Sequence, residues 1–256
     1  MSMSALALAV ALLVAPSVPV DSLDVEGRDA RWSGVVPPGA AIEIQNVSGE
    51  ILAERSESDE VEVEIQRFGA AWETVRLDLV MGADGSVSIC AIADDAEYLE
   101  ERGYSAELGP KGCVLGGGGR LGGVGRDESD VGVSFVVRVP EGVSFRAHTY
   151  DGDIEAALPG AISAFTSDGD IYLDLSTVAW SGPVDLRTND GDVSVRLAEG
   201  TGVEVDAFSR FGRVRTDLPV FRDPSTGAVY GRVGDGSRGL KIRTTEGTVR
   251  IRTAGL

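Results

Sequence analysis

From Ser144 to Leu197 the chain alternates apolar and polar residues, breaks at a glycine, and alternates again. The stretches "SFRAHTYDGDIEAAL", "ISAFTSDGDIYLDL" and "VDLRTNDGDVSVRL" all share this form. Alternation with period two predicts a short strand on each side of the glycine, each with one buried face. The glycine predicts a tight corner that a side chain would resist. Two later stretches, "VEVDAFSRFGRVRTDL" and "RGLKIRTTEGTVRIRT", repeat the pattern, and an earlier copy is "AIEIQNVSGEILAE".

Aligned on their glycines, the later five copies centre on Gly152, Gly169, Gly191, Gly212 and Gly247, which lie 17, 22, 21 and 35 residues apart. The early copy centres on Gly49. Three residues before the five glycines stand Thr149, Thr166, Thr188, Ser209 and Thr244; in the early copy Asn46 takes that place. Two residues after them stand Ile154, Ile171, Val193, Val214 and Val249, with Ile51 in the early copy. Units of about 20 residues that cannot bury a face alone must stack. The expected fold is therefore all-β, a β-solenoid of short parallel coils with one turn glycine per coil and irregular first coils. An antiparallel sandwich of hairpins is the rival. It accounts for strands and glycines, but not for hydroxyl and aliphatic columns that recur in register.

In such a stack the threonines lie inside the corner and bond the turn or one another. The aspartates around each glycine (Asp151, Asp153, Asp168, Asp170, Asp190, Asp192) point outward in two columns. Their repulsion across rungs, about 1 kcal/mol or less in water, is tolerable without a metal. Calcium needs six to eight oxygens in a loop shaped around it, and these spacings match no such loop. The fourth unit carries Arg213 instead of aspartate, which in a sequential stack would put a cation beside Asp192.

Composition adds the compartment. Glycine numbers 34 of 256 residues, far above the usual share of about 7%, as many tight turns require. A net charge of −18 argues against nucleic acid and anionic lipid as partners. The opening "MSMSALALAVALLVAPSVPVDS" has an apolar run, Ala5 to Ala15, too short to span a membrane. It suits a secretory signal over residues 1–17, with small residues for cleavage at "APS". The absence of Lys and Arg before that run leaves an uncleaved anchor or a later start as the other reading. An exported chain resides in the periplasm, envelope or medium, and its two cysteines, Cys90 and Cys113, are expected to pair there. Two free thiols are the alternative; one thiolate pair lacks the other ligands of a zinc site.

The junction "SFVVRVPEGVSFRAHTYDGDIEAAL", followed by "DGDIYLDL" and "NDGDVSVRL" and preceded by "VSICAIA" with a second cysteine and a glycine run, resembles the bacterial DUF4097-type adhesin-like proteins. The resemblance covers residues 36–256 and implies a single solenoid domain in a secreted or envelope protein. Residues 36–139 would form its irregular first half, with the cysteine pair and a glycine-rich loop, and 140–256 its regular repeats. The chain departs from the pattern in an insertion from Pro219 to Ser237 and in the lost acidic pair of the fourth unit. The resemblance brings no catalytic residues and no cofactor.

Other motifs add little chemistry. "GGGGRLGG" contains G-x-G-x-x-G at Gly117, Gly119 and Gly122, without the strand and helix a dinucleotide site needs. The single histidine, His148, falls on the outward register and is expected to be exposed, with no partners for a triad. Phe145 belongs to the inward column, whereas Phe165 and Phe208 lie on the opposite register and could mark a partner-covered face. Two function classes follow. One is a non-enzymatic surface module that binds an envelope protein or glycan. The other is a carbohydrate-active β-helix enzyme, a lyase or hydrolase, which would need a cleft of clustered carboxylates.

Overall fold

The computed structural model describes residues 22–93, 107–108, 114–115 and 131–255. The first strands are β1 (Asp24–Glu26), β2 (Asp29–Gly34), β3 (Ala41–Gln45), β4 (Ile51–Arg55), β5 (Val61–Phe68), β6 (Val75–Met81) and β7 (Val87–Ala93). A separate two-stranded ladder joins β8 (Glu107–Leu108) to β9 (Val114–Leu115). Then come β10 (Gly132–Val139), β11 (Ser144–Asp151), β12 (Ile154–Ala157), β13 (Ile162–Asp168), β14 (Ile171–Leu175), β15 (Val184–Asp190) and β16 (Val193–Leu197). The last are β17 (Val203–Ser209), β18 (Arg213–Thr216), β19 (Phe221–Arg222), β20 (Val229–Val233), β21 (Arg238–Glu246) and β22 (Thr248–Thr253).

The described residues are all-β, and twenty of their twenty-two strands enter two ten-stranded sheets. One runs β1-β2-β5-β10-β4-β12-β14-β16-β22-β18, the other β19-β20-β17-β21-β15-β13-β11-β3-β7-β6. Each glycine-centred repeat gives one strand to each sheet: β3/β4, β11/β12, β13/β14, β15/β16, β21/β22 and β17/β18. Neighbouring repeats pair in parallel with identical positions opposed, as in Phe145↔Ile162↔Val184↔Leu240 and Ile154↔Ile171↔Val193↔Val249. That registration follows from the sequence period, since a slip of one residue would turn every apolar side chain outward. One continuous apolar core from Ala30 to Ile251 fills the space between the sheets.

Both ends of the stack change character. Beyond β4 the first sheet continues through β10 and then antiparallel through β5, β2 and β1. Beyond β3 the second sheet adds β7 in parallel and β6 antiparallel. At the far end β20 and β19 continue the second sheet antiparallel, and they come from the Pro219–Ser237 insertion.

The stack is not sequential, and this corrects one expectation. The last repeat, β21/β22, lies between β15/β16 and β17/β18. The insertion lengthens the chain enough to pass the outer edge and return into the slot. Equivalent columns in every repeat let either one fill it. Arg213 therefore sits beside Thr248, not beside Asp192.

Candidate functional site

At the corners the glycines of successive repeats lie one above another. Gly169 and Gly191 have φ of +150° and +145°, where side chains are disfavoured. Space is the harder constraint. A Cβ on Gly169 would stand 2.3 Å from the carbonyl oxygen of Gly152, and one on Gly191 would stand 2.0 Å from that of Gly169. Gly49, Gly152, Gly212 and Gly247 are closed off by a backbone carbonyl in the same way, although Gly212 keeps an ordinary φ.

The buried hydroxyls bind this column together. Thr166 Oγ1 donates to the Gly152 carbonyl at 3.0 Å, Thr188 to Gly169 at 3.0 Å, Thr244 to Gly191 at 3.3 Å, and Ser209 to Gly247 at 2.8 Å. Asn46 does the same at the first repeat, its Nδ2 donating to Val133 O at 2.7 Å. These side chains join one repeat to the next.

The second aspartate of each "DGD" also has a partner, which sequence reasoning missed. Asp153 accepts the backbone N–H of Asp170 at 2.7 Å, Asp170 that of Asp192 at 2.7 Å, and Asp192 that of Thr248 at 2.6 Å. Asp192 also meets Arg250 at 2.5 Å. Burial works to raise its pKa, but the Thr248 N–H and the Arg250 guanidinium outweigh it and hold the carboxyl below its ordinary value. The signal was present in a residue that recurs two places after each hydroxyl-and-acid pair, where a short acceptor can cap the next rung. Among the described residues no group of three or more His, Cys, Asp or Glu is placed to hold a metal ion.

The outer face of the second sheet carries the other notable groups. His148, Phe165, Arg187, Arg243 and Phe208 stand side by side across five strands. His148 is half-buried, contrary to expectation, because its ring meets Phe165 edge-on at 4.7 Å. That burial lowers its pKa. Arg187 pairs with Asp185 at 2.8 Å and Arg243 with Asp206. Phe165 and Phe208 are half-buried on this face, while Phe145 is inside the core. On the first sheet Arg138 lies among Glu54, Glu62 and Glu64 at 3.0, 3.4 and 2.8 Å. It cross-links the parallel strand β4 to the antiparallel strand β5 through β10. Its hydrogen bond lowers the pKa of Glu64.

Among the described residues, the cavities include two shallow ones of about 190 and 290 Å³. Both fall below the ~300 Å³ from which small-molecule sites usually start. One lies along β18, lined by Arg213, Arg215, Arg222 and Thr226; the other crosses β2, β5 and β10. Cys90 is buried on the outward register of β7, in a small cluster with Ile92. Cys113 and the glycines Gly117, Gly119 and Gly122 lie outside the described residues.

A family profile described as Toastrack DUF4097 matches residues 42–252. The chain belongs to this family. No curated protein matches this Toastrack chain in sequence. Among solved structures, a "putative cell adhesion protein" from Clostridium sporogenes superposes with a TM-score of 0.56 at 12% identity. The match covers 87% of this chain and 98% of that one. A "putative adhesin" from Bacteroides fragilis matches at 9% identity and a TM-score of 0.32, covering 89% of this chain and 98% of its own. At these identities the first likeness shows a shared Toastrack fold. No helix among the described residues is long and apolar enough to cross a membrane.

Proposed function

We propose that this Toastrack protein is a non-enzymatic, adhesin-like binding module that works outside the cytoplasm. It presents a ladder of side chains on a two-sheeted β-solenoid. The observation that carries the reading is the row His148, Phe165, Arg187, Arg243 and Phe208 across adjacent strands. Rungs about 4.8 Å apart place aromatic and guanidinium groups at the spacing of an extended partner. Such groups are enriched where proteins bind one another, and aromatic faces also suit sugar rings. Export by residues 1–17, a single domain over 36–256 and a Cys90–Cys113 disulfide belong to the same reading. Support comes from the apolar leader and from the shared fold of the Clostridium sporogenes neighbour, whose name points to cell adhesion.

The test is capture of envelope glycans and proteins by the full chain, compared with Phe165→Ala and Arg187→Ala. Both changes should reduce capture and leave the melting temperature close to wild type. Reproducible release of reducing ends from acidic or neutral polysaccharides would overturn the reading in favour of a lyase or hydrolase.

A further inference from the structure

The charge of the chain is strongly divided. Residues 200–256 hold ten Lys and Arg against six Asp and Glu, a net of +4. Residues 1–199 hold the remaining 13 and 35, a net of −22. The first sheet terminates at one edge in β18, "RVRT", and at the other in β1, "DVE". Neither has a strand on its outer side among the described residues.

The two edges match in face and direction. Arg213 and Arg215 point outward on β18, and Val214 points into the core. On β1, Val25 lies opposite the buried Ala30 and so shares the core face, leaving Asp24 and Glu26 on the outer one. Val25 is nonetheless 50% exposed, an apolar side chain that no described residue covers fully. Counting strand directions along the sheet from β18 to β1 gives opposite senses. A translated second copy would therefore bring its β1 antiparallel to β18. Arg213 would oppose Glu26, Val214 would oppose Val25, and Arg215 would oppose Asp24.

The ends are also stepped to fit. Past the first repeat the first sheet has four more strands and the second sheet two; past β17/β18 the first sheet has none and the second has two. The two-strand overhang at one end equals the two-strand recess at the other. The recess is bordered by the cavity between β18 and the β19–β20 connection. Exposed Phe221 on β19 stands beside it.

We propose that copies of this chain join head to tail, with β1 of one copy seated as a strand on the free edge of β18 in the next. Opposite charges directly across a strand pair stabilise it, and like charges oppose it. The arginines of β18 thus reject a second β18 while accepting the acidic β1. A contact between two different surfaces of one chain leaves each end open to another copy, so the product is a filament.

Sedimentation velocity of the full chain over a range of concentrations tests this. Association should grow with concentration and weaken with salt. Arg213→Glu with Arg215→Glu should weaken it by roughly tenfold or more, as should Asp24→Arg with Glu26→Arg. The four changes combined in one chain should restore it. Melting curves establish that each variant is folded, and the β1 variant keeps the test decisive if the β18 variant is not. A wild-type chain that stays monomeric, a closed dimer, or association indifferent to either charge reversal would overturn the proposal.

Discussion

The Thr188 hydroxyl donates 3.0 Å to the carbonyl of Gly169, a residue of the neighbouring repeat. This contact recurs at the four interfaces from β11/β12 onward, while Thr149 bonds Asp151 of its own repeat, so in those repeats the corner is where one recognises the next. Thr188→Val keeps the shape and removes the donor, leaving a buried carbonyl short of a partner. It should lower stability by about 1–2 kcal/mol in urea denaturation. Thr188→Ser should lose less, because Ser209 already plays the same part at Gly247.

Gly169→Ala and Gly191→Ala should be far more damaging. The added carbon would meet a backbone oxygen at 2.3 and 2.0 Å, and neither strand can retreat without breaking its ladder. A loss of more than about 2 kcal/mol is expected for each. Gly200 provides the control. Its φ is +75° but nothing lies within 4 Å, so Gly200→Ala should cost only the backbone term, about 1 kcal/mol. Equal losses at all three sites would show that space is not the constraint.

At Asp170 two substitutions should separate charge from hydrogen bonding. Asp170→Asn keeps an oxygen for the Asp192 N–H, whereas Asp170→Ala does not. The first should be close to neutral, and the second should cost about 1 kcal/mol by thermal melting. Calcium and chelator should leave both melting curves nearly unchanged. A calcium-dependent rise of many degrees in wild type, lost in Asp170→Asn, would instead make the corner a metal site.

Acid should weaken the stack. Asp192, Asp185 and Glu64 are held below their ordinary values in the fold, Asp185 chiefly by its hydrogen bond to Arg187. Each contributes stability above its unfolded pKa of about 4 and loses it as the pH falls through the lowered value. Denaturation midpoints should therefore drop below about pH 4. Asp192→Asn should make that drop shallower. His148 has the same sense at higher pH, since burial lowers its pKa from the ordinary 6.5. NMR titration should find its midpoint below that value.

Much of the corner was legible because its constraints are local. Period two fixed the inward positions of Ile154, Ile171 and Val193, and the repeat of glycine and hydroxyl pointed to a column. Other features depend on which repeat neighbours which, and that is a tertiary matter. Every repeat offers the same apolar columns, so the pattern could not tell that Val193 meets Val249 and not Val214. The misplacement of Arg213 followed from that. His148 was on the outward register as read, but its half-burial depends on Phe165, a residue 17 positions away on the next strand. The antiparallel strands β1, β2 and β5 have no glycine-centred period, so nothing in the repeat pattern announced them.

The interleaved order of the last two repeats has a consequence for how the protein is made. While the chain is being synthesised, β17/β18 appears before β21/β22 but cannot take its final place, because the rung that separates it from β15/β16 does not yet exist. Either it waits, or it docks one slot too early on β15/β16, where its columns also fit. In the second case the last segment must displace it, and maturation includes an exchange of two nearly equivalent strands. In that case a chain cut short before Arg238 would hold β17/β18 in the position that belongs to β21/β22.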